Sequence, residues 1–280
     1  MRLITGVLRP DRGELRVFGL DPTRDGDEVR RRTGVATERP SLDPRLSARA
    51  ALRLFAGLYG LPRGDEDRRI DAVLDRFGLE GRADDRVGDY SKGMRQRLAL
   101  ARCALHEPDL YVLDEPSAGL DPLAARELRR WIADLAAEEG RSVLLCTHDL
   151  AEAQRLADRV VVLRQGRIAA AGTPGELGER YGAARLTVDV AADDAATART
   201  TLAAVEIETA DADPDDLGTT PPGTVRLHLA GVGRTQAPDV ARRLVEAGVR
   251  LERLEPADAS LEDVYVAVYG AADLPSEVSA

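Results

Sequence analysis

The sequence predicts an α/β fold, with a mostly parallel sheet carrying helices on its faces and a smaller α+β unit after it. Three observations predict it. Short apolar runs at residues 110–113, 142–146 and 160–163 alternate with longer stretches of helical periodicity, the pattern of strands joined by crossover helices. The composition shifts after about Gly182, where Ala, Asp and Thr become frequent. At 280 residues the chain is long enough for one large domain and a smaller companion.

The elements follow in order. Residues 1–7 are short and apolar and end at the turn Pro10-Asp11-Arg12-Gly13. Residues 14–18 alternate like a strand, and Gly34-Val35-Ala36 reads as another after a charged stretch. From 46 to 59, Leu46, Ala50, Leu54 and Leu58 recur at helical spacing. Residues 68–77 form an amphipathic helix with Ile70, Val73, Leu74 and Phe77 on one face. Ser91 opens a helix that runs through Leu98, Leu100 and Ala104 to about His106, where Pro108 ends it. A buried strand at 110–113, a helix at 123–137 stopped by Gly140, a buried strand at 142–146, a helix at 151–157 and a strand at 160–163 complete the first part.

In the second part, residues 189–215 are rich in Ala, Asp and Thr, and Pro214 and Thr219-Thr220-Pro221-Pro222-Gly223 mark loops. Strands are expected near 184–190, 224–230 and 249–254, with helices at 237–247 and 261–269 and a frayed tail at 271–280. There is no internal repeat.

Composition excludes several functions. A net charge of -10 speaks against a nucleic-acid partner, because phosphate binding needs a clustered basic face. Positive charge is almost all Arg, and Lys92 is the only lysine. Cys103 and Cys146 each lie in an apolar run and are expected as buried, reduced thiols in a cytosolic compartment. No apolar stretch approaches ~18 residues and no signal peptide is evident, so a membrane role must come through a partner.

Chemistry concentrates at Leu110-Tyr111-Val112-Leu113-Asp114-Glu115-Pro116, where two carboxylates end an apolar strand. Ligands of open α/β sheets bind at such carboxyl ends. Asp114 can hold Mg²⁺, which keeps its waters and takes one or two carboxylates. Glu115 can orient or deprotonate an attacking water. Taken alone, the run reads equally well as a strand leading to an acidic helix N-terminus. Its neighbours decide. Tyr90-Ser91-Lys92-Gly93-Met94-Arg95-Gln96-Arg97 lies upstream, Ser117-Ala118-Gly119-Leu120-Asp121-Pro122 follows at once, and Thr147-His148-Asp149 ends the next strand.

In that order, within about sixty residues, these segments resemble the ATP-binding cassette (ABC) family. Residues 90–97 resemble its signature sequence, 113–116 its Walker B strand, 118–121 its D-loop, and His148 its switch histidine. Residues 6–15 are similar to the stretch after the family's first helix. Residues 37–42 resemble its Q-loop, and residues 46–61 the start of its helical subdomain. The resemblance covers about residues 1–180; the remainder is similar to the C-terminal extension of bacterial drug- and sodium-type exporters.

It implies a P-loop NTPase-like ABC ATPase domain over 1–182, incomplete at its N-terminus. A helical subdomain at about 45–107, an α+β extension at 183–270 and a flexible tail at 271–280 go with it. By position it implies ATP and Mg²⁺ as ligands, Asp114 as Mg²⁺ partner and Glu115 as catalytic base. His148 would contact the γ-phosphate and Asp121 would couple two sites. Ser91, Lys92 and Gly93 would meet nucleotide held by an opposing subunit, where a helix N-terminus suits an anion. The implied partners are a second ATPase subunit, identical or homologous, and a membrane-spanning transporter subunit on whose inner face the chain would sit.

The sequence departs from the family in three places. Lys92 and Met94 stand where many members have Gly and Gln; similar variants occur in the exporter branch. Glu38 replaces the Q-loop Gln; its carboxylate can still reach Mg²⁺ or a water. Most severely, no Gly-rich loop ending in Gly-Lys-Ser/Thr is present and no Gly-Lys pair exists, although that loop supplies backbone N–H groups and a lysine to the phosphates. By the family's pattern Met1 falls within the helix that such a loop opens. A fragment with a mis-set start is the first expectation. The alternatives are a non-catalytic cassette that lends its signature to a complete partner, and a non-transport cassette such as a translation or repair factor.

Overall fold

The computed structural model describes residues 1–38, 42–137, 140–181, 185–207, 209–211, 221, 223–257 and 260–270. The chain packs as two compact units, Met1–Glu152 and Ala153–Ala280; the compositional change at residue 182 falls inside the second.

The first unit opens with a closing helical turn. The Val7 N–H donates to the Arg2 carbonyl at 2.9 Å and the Gly6 N–H to that of Leu3 at 3.1 Å. Gly6 takes a φ of +70°, the left-handed conformation that ends helices this way. The strand expected at 14–18 is reduced to one bridge between Val17 and Leu20. Phe18 and Gly19 both have positive φ, the backbone of a tight type I′ turn, so the run folds back on itself. The charged stretch forms a short helix, α1 (Gly26–Arg31), before strand β1 (Thr33–Ala36).

Helix α2 (Ala48–Tyr59) is capped by the Ser47 side chain, which accepts from the Ala50 N–H, and is ended by Gly60 in the left-handed region. It buries Ala48, Ala51, Leu52 and Ala56. Leu54 and Leu58, which carried the periodicity, are 55% and 70% exposed. Helix α3 (Glu66–Arg76) buries Ile70, Val73 and Leu74 as expected, with Phe77 buried beside them. Helix α4 (Lys92–Ala104) is buried continuously from Leu98 to Ala104. It lies so close to β1 that a Cβ on Gly34 would come within 2.5 Å of the Cys103 carbonyl oxygen.

Strand β2 (Leu110–Asp114) is central, paired in parallel with β1 on one side and β3 (Ser142–Cys146) on the other. Helix α5 (Pro122–Ala137) makes the crossover and buries Leu128, Trp131, Ile132 and Leu135. The parallel sheet is thus as expected. Strand β3, expected to be buried, is half open to solvent along its length and, among the described residues, pairs on one side only. Cys103 is buried, while Cys146 is exposed rather than buried. Helix α6 (Leu150–Leu156) follows.

In the second unit β4 (Val160–Arg164) pairs antiparallel with β5 (Arg167–Gly172), not with the parallel sheet. Gln165 and Gly166, both at positive φ, make the hairpin turn. Helix α7 (Pro174–Tyr181) leads to strand β6 (Arg185–Ala191). Then come helix α8 (Ala195–Ala203), strands β7 (Thr209–Asp211) and β8 (Thr224–Ala230), helix α9 (Ala237–Glu246), strand β9 (Leu251–Ala257) and helix α10 (Leu261–Gly270). The sheet order β7-β8-β6-β9, all antiparallel, is the βαββαβ arrangement of ferredoxin-like units. Its core unites Leu186, Val188 and Val190 of β6 with Leu202, Leu227, Leu229, Val240 and Leu244. The expected loops at 214 and 219–220, and the tail at 271–280, lie outside the described residues. Among the described residues no helix is long and apolar enough to cross a membrane.

Candidate functional site

Parallel pairing brings the carboxyl ends of β1, β2 and β3 to one edge of the sheet. Asp114, the last residue of β2, stands opposite Cys146 of β3. Glu38 lies two residues beyond β1 and is exposed. Neither belongs to a group of three or more ligating side chains among the described residues. One half-buried carboxylate at a strand end fits Mg²⁺, whose other ligands are waters and substrate phosphates.

Glu115 leaves the strand with a φ of +48°, a conformation that side-chain-bearing residues seldom adopt. Three contacts sustain it. Its N–H donates to the Cys146 carbonyl at 2.8 Å and its carbonyl accepts from the Ala118 N–H at 3.0 Å. Its carboxylate accepts from the His148 N–H at 2.8 Å. The other carboxylate oxygen lies 2.8 Å from His148 Nδ1, so that the base and the histidine form a bidentate pair. The His148 side chain is 87% exposed, and the hydrogen bond to Glu115 raises its pKa above the ordinary 6.5. The cation so favoured is open to solvent.

The signature residues sit at the start of α4. Ser91 is its N-cap, its Oγ accepting from the Met94 N–H at 3.2 Å. Lys92 is exposed, and its stem covers Gly119: a Cβ there would lie 2.8 Å from Lys92 Cε. Gly93 packs against the Gly119 carbonyl, which a Cβ would approach to 3.2 Å. Asp121 caps α5, accepting from the N–H groups of Leu123 at 3.1 Å and Ala124 at 3.0 Å. Those bonds, the Ala124 one first, hold its pKa below the usual carboxylate range.

The structure therefore joins Glu115 to His148, and Lys92 and Gly93 to Gly119. It leaves Glu38 apart, at the same sheet edge. Residues that the sequence reading missed lie beneath them. Gln96, 3% exposed, donates from Nε2 to the Pro116 carbonyl at 3.1 Å. Glu152, 2% exposed, accepts from Ser117 Oγ at 3.3 Å. A polar side chain on the apolar face of α4 was the available signal for Gln96. Glu152 looked like an ordinary acid in a first helical turn.

A strand-end carboxylate pair, a histidine clasping the second acid and a serine-capped helix beside them on a parallel sheet fit an ABC-type ATPase domain. The chain belongs to the family of ABC transporter ATP-binding subunits. The family model described as ABC transporter matches residues 1–118. The daunorubicin resistance ATP-binding protein DrrA3 of Streptomyces coeruleorubidus is 35% identical over 96% of this chain and 82% of its own length. A fluoroquinolones export ATP-binding protein of Mycobacterium tuberculosis is likewise 35% identical, over 96% of this chain and 78% of its own. Among solved structures, an ATP-binding subunit of an ABC transporter superposes with a TM-score of 0.60 at 35% identity, covering 65% of this chain and 75% of that one.

Proposed function

We propose that the chain is an ATP-binding and -hydrolysing subunit of a drug-exporting ABC transporter, working against a second ATPase subunit and coupled to a membrane-spanning partner. The observation that carries this reading is the Glu115–His148 pair at the carboxyl end of β2. The exporter names of the relatives support the substrate class.

In this reading Glu115 takes the proton of the attacking water and His148 holds its charged edge toward the γ-phosphate. Such positioning and charge stabilisation account for most of phosphoryl-transfer catalysis. Asp114 would hold Mg²⁺, which supplies neutralisation of phosphate charge when bound. Ser91 and Gly93 present the α4 N-terminus to nucleotide in the opposing subunit, and Asp121 sits at the turn that would face that subunit.

The test uses an assembled transporter with a second ATPase subunit: Glu115→Gln should lower turnover by about 10² or more while nucleotide stays bound. Intact turnover in that variant sinks the reading.

A further inference from the structure

We infer that Glu152 is a positioning residue: its buried carboxylate ties the turn after Glu115 to the helix after His148, and thereby sets the contact between those two residues. The inference rests on the reading of Glu115 and His148 as the working pair. Their contact alone is poorly anchored, because His148 is 87% exposed and ion pairs in solvent contribute little.

A second, buried rung lies behind it. Ser117, two residues past Glu115, donates from Oγ to Glu152 Oε2 at 3.3 Å. The Glu152 N–H donates to Asp149 Oδ1 at 2.8 Å, and the Asp149 N–H to Thr147 Oγ1 at 3.0 Å. The contacts close a ring, from Glu115 along the chain to Ser117, across to Glu152, back to Asp149 and His148, and across again to Glu115. A carboxylate 2% exposed is costly to bury without a function for its hydrogen bonds. Burial, reinforced by the Asp149 charge, pushes the Glu152 pKa up, while the Ser117 and Thr147 hydroxyls and Arg129 act against this.

The test follows the three histidines of the full chain by imidazole NMR during a pH titration, which requires no nucleotide. His148 should titrate above 6.5 in the parent chain. Glu152→Ala should lower its midpoint toward the ordinary value. Glu152→Gln, whose amide oxygen still accepts from Ser117, loses only the direct attraction of the Glu152 charge for His148, and its midpoint should fall clearly less than that of Glu152→Ala. Ser117→Ala removes the same bond from the other side, should shift His148 in the same direction, and decides the matter alone if Glu152→Ala does not fold. An unmoved His148 in Ser117→Ala or in folded Glu152→Ala overturns the inference, as does an equal fall in Glu152→Gln. Failure of the catalytic reading shows separately, as undiminished turnover in Glu115→Gln.

Discussion

Two histidines of this chain are displaced in opposite directions from one ordinary value of 6.5. His148 gains a carboxylate, so its contact with Glu115 is strongest below its raised pKa and fades as pH rises through it. His106 instead stacks on Tyr59, ring centroids 3.8 Å apart, and burial pushes its pKa down to about 4. The unfolded chain therefore takes up that proton first. The His106 contribution to stability is level above pH 6.5 and falls as pH drops from there to about 4. His106→Gln should remove on the order of 2 kcal/mol of that loss, read as the difference between urea midpoints at neutral pH and near pH 4.5. An unchanged acid slope would count against it. None of this was legible beforehand, because an apolar run places a residue near a core without saying what its ring faces. The buried Cys103, its thiol pushed up to about 12 by desolvation, was read correctly, and Cys146 was not. Both lie in apolar runs, but only β3 has an open side.

At the scale of elements, the second unit carries its own test. Asp189 of β6 and Arg226 of β8 stand directly opposite in the sheet. They form two hydrogen bonds of 2.7 Å and 2.8 Å, with side chains only 3% and 9% exposed. The Arg226 bonds hold Asp189 below the usual carboxylate range. The pair's contribution is therefore present above about pH 4 and is lost as pH falls through the lowered pKa. Arg226→Met leaves a buried charge unpaired and should cost about 3–5 kcal/mol. The double change to Asp189→Leu with Arg226→Met should recover most of it, measured by denaturation with hydrogen exchange of the β6 amides as the local probe. A single variant as stable as the parent would refute the assignment. Sequence periodicity found β6, β8, α9 and α10 nearly to the residue, since each buries one regular stripe. It passed over α8 and β7 in the Ala/Asp/Thr-rich stretch, where apolar contrast is weak. In α2 it found the helix and not the buried stripe. Ala48, Ala51, Leu52 and Ala56 and the Leu54–Leu58 pair both satisfy a helical period, and the neighbours α3 and α4 decide between them.

The whole molecule has exposed leucines on α2 and no helix that could span a membrane among its described residues. Within the transporter reading, Leu54 and Leu58 lie on the helical segment expected to meet the membrane subunit. Leu54→Asp with Leu58→Asp should leave the thermal midpoint of the isolated chain within about 2 °C and sharply reduce its co-purification with that subunit; undiminished co-purification would place the docking surface elsewhere. The candidate site was legible as motifs because its residues stand in short contiguous runs. Its supports were not, because Gln96, Ser117 and Glu152 meet only through the fold. One of those supports reaches further. The first turns of α4 grip the turn after Glu115 twice, through Lys92 on Gly119 and Gln96 on the Pro116 carbonyl. Within the transporter reading, a helix tip that meets ligand held by a second subunit would thus be geared to this chain's own carboxylate, so that a push on the tip would arrive as a displacement of Glu115.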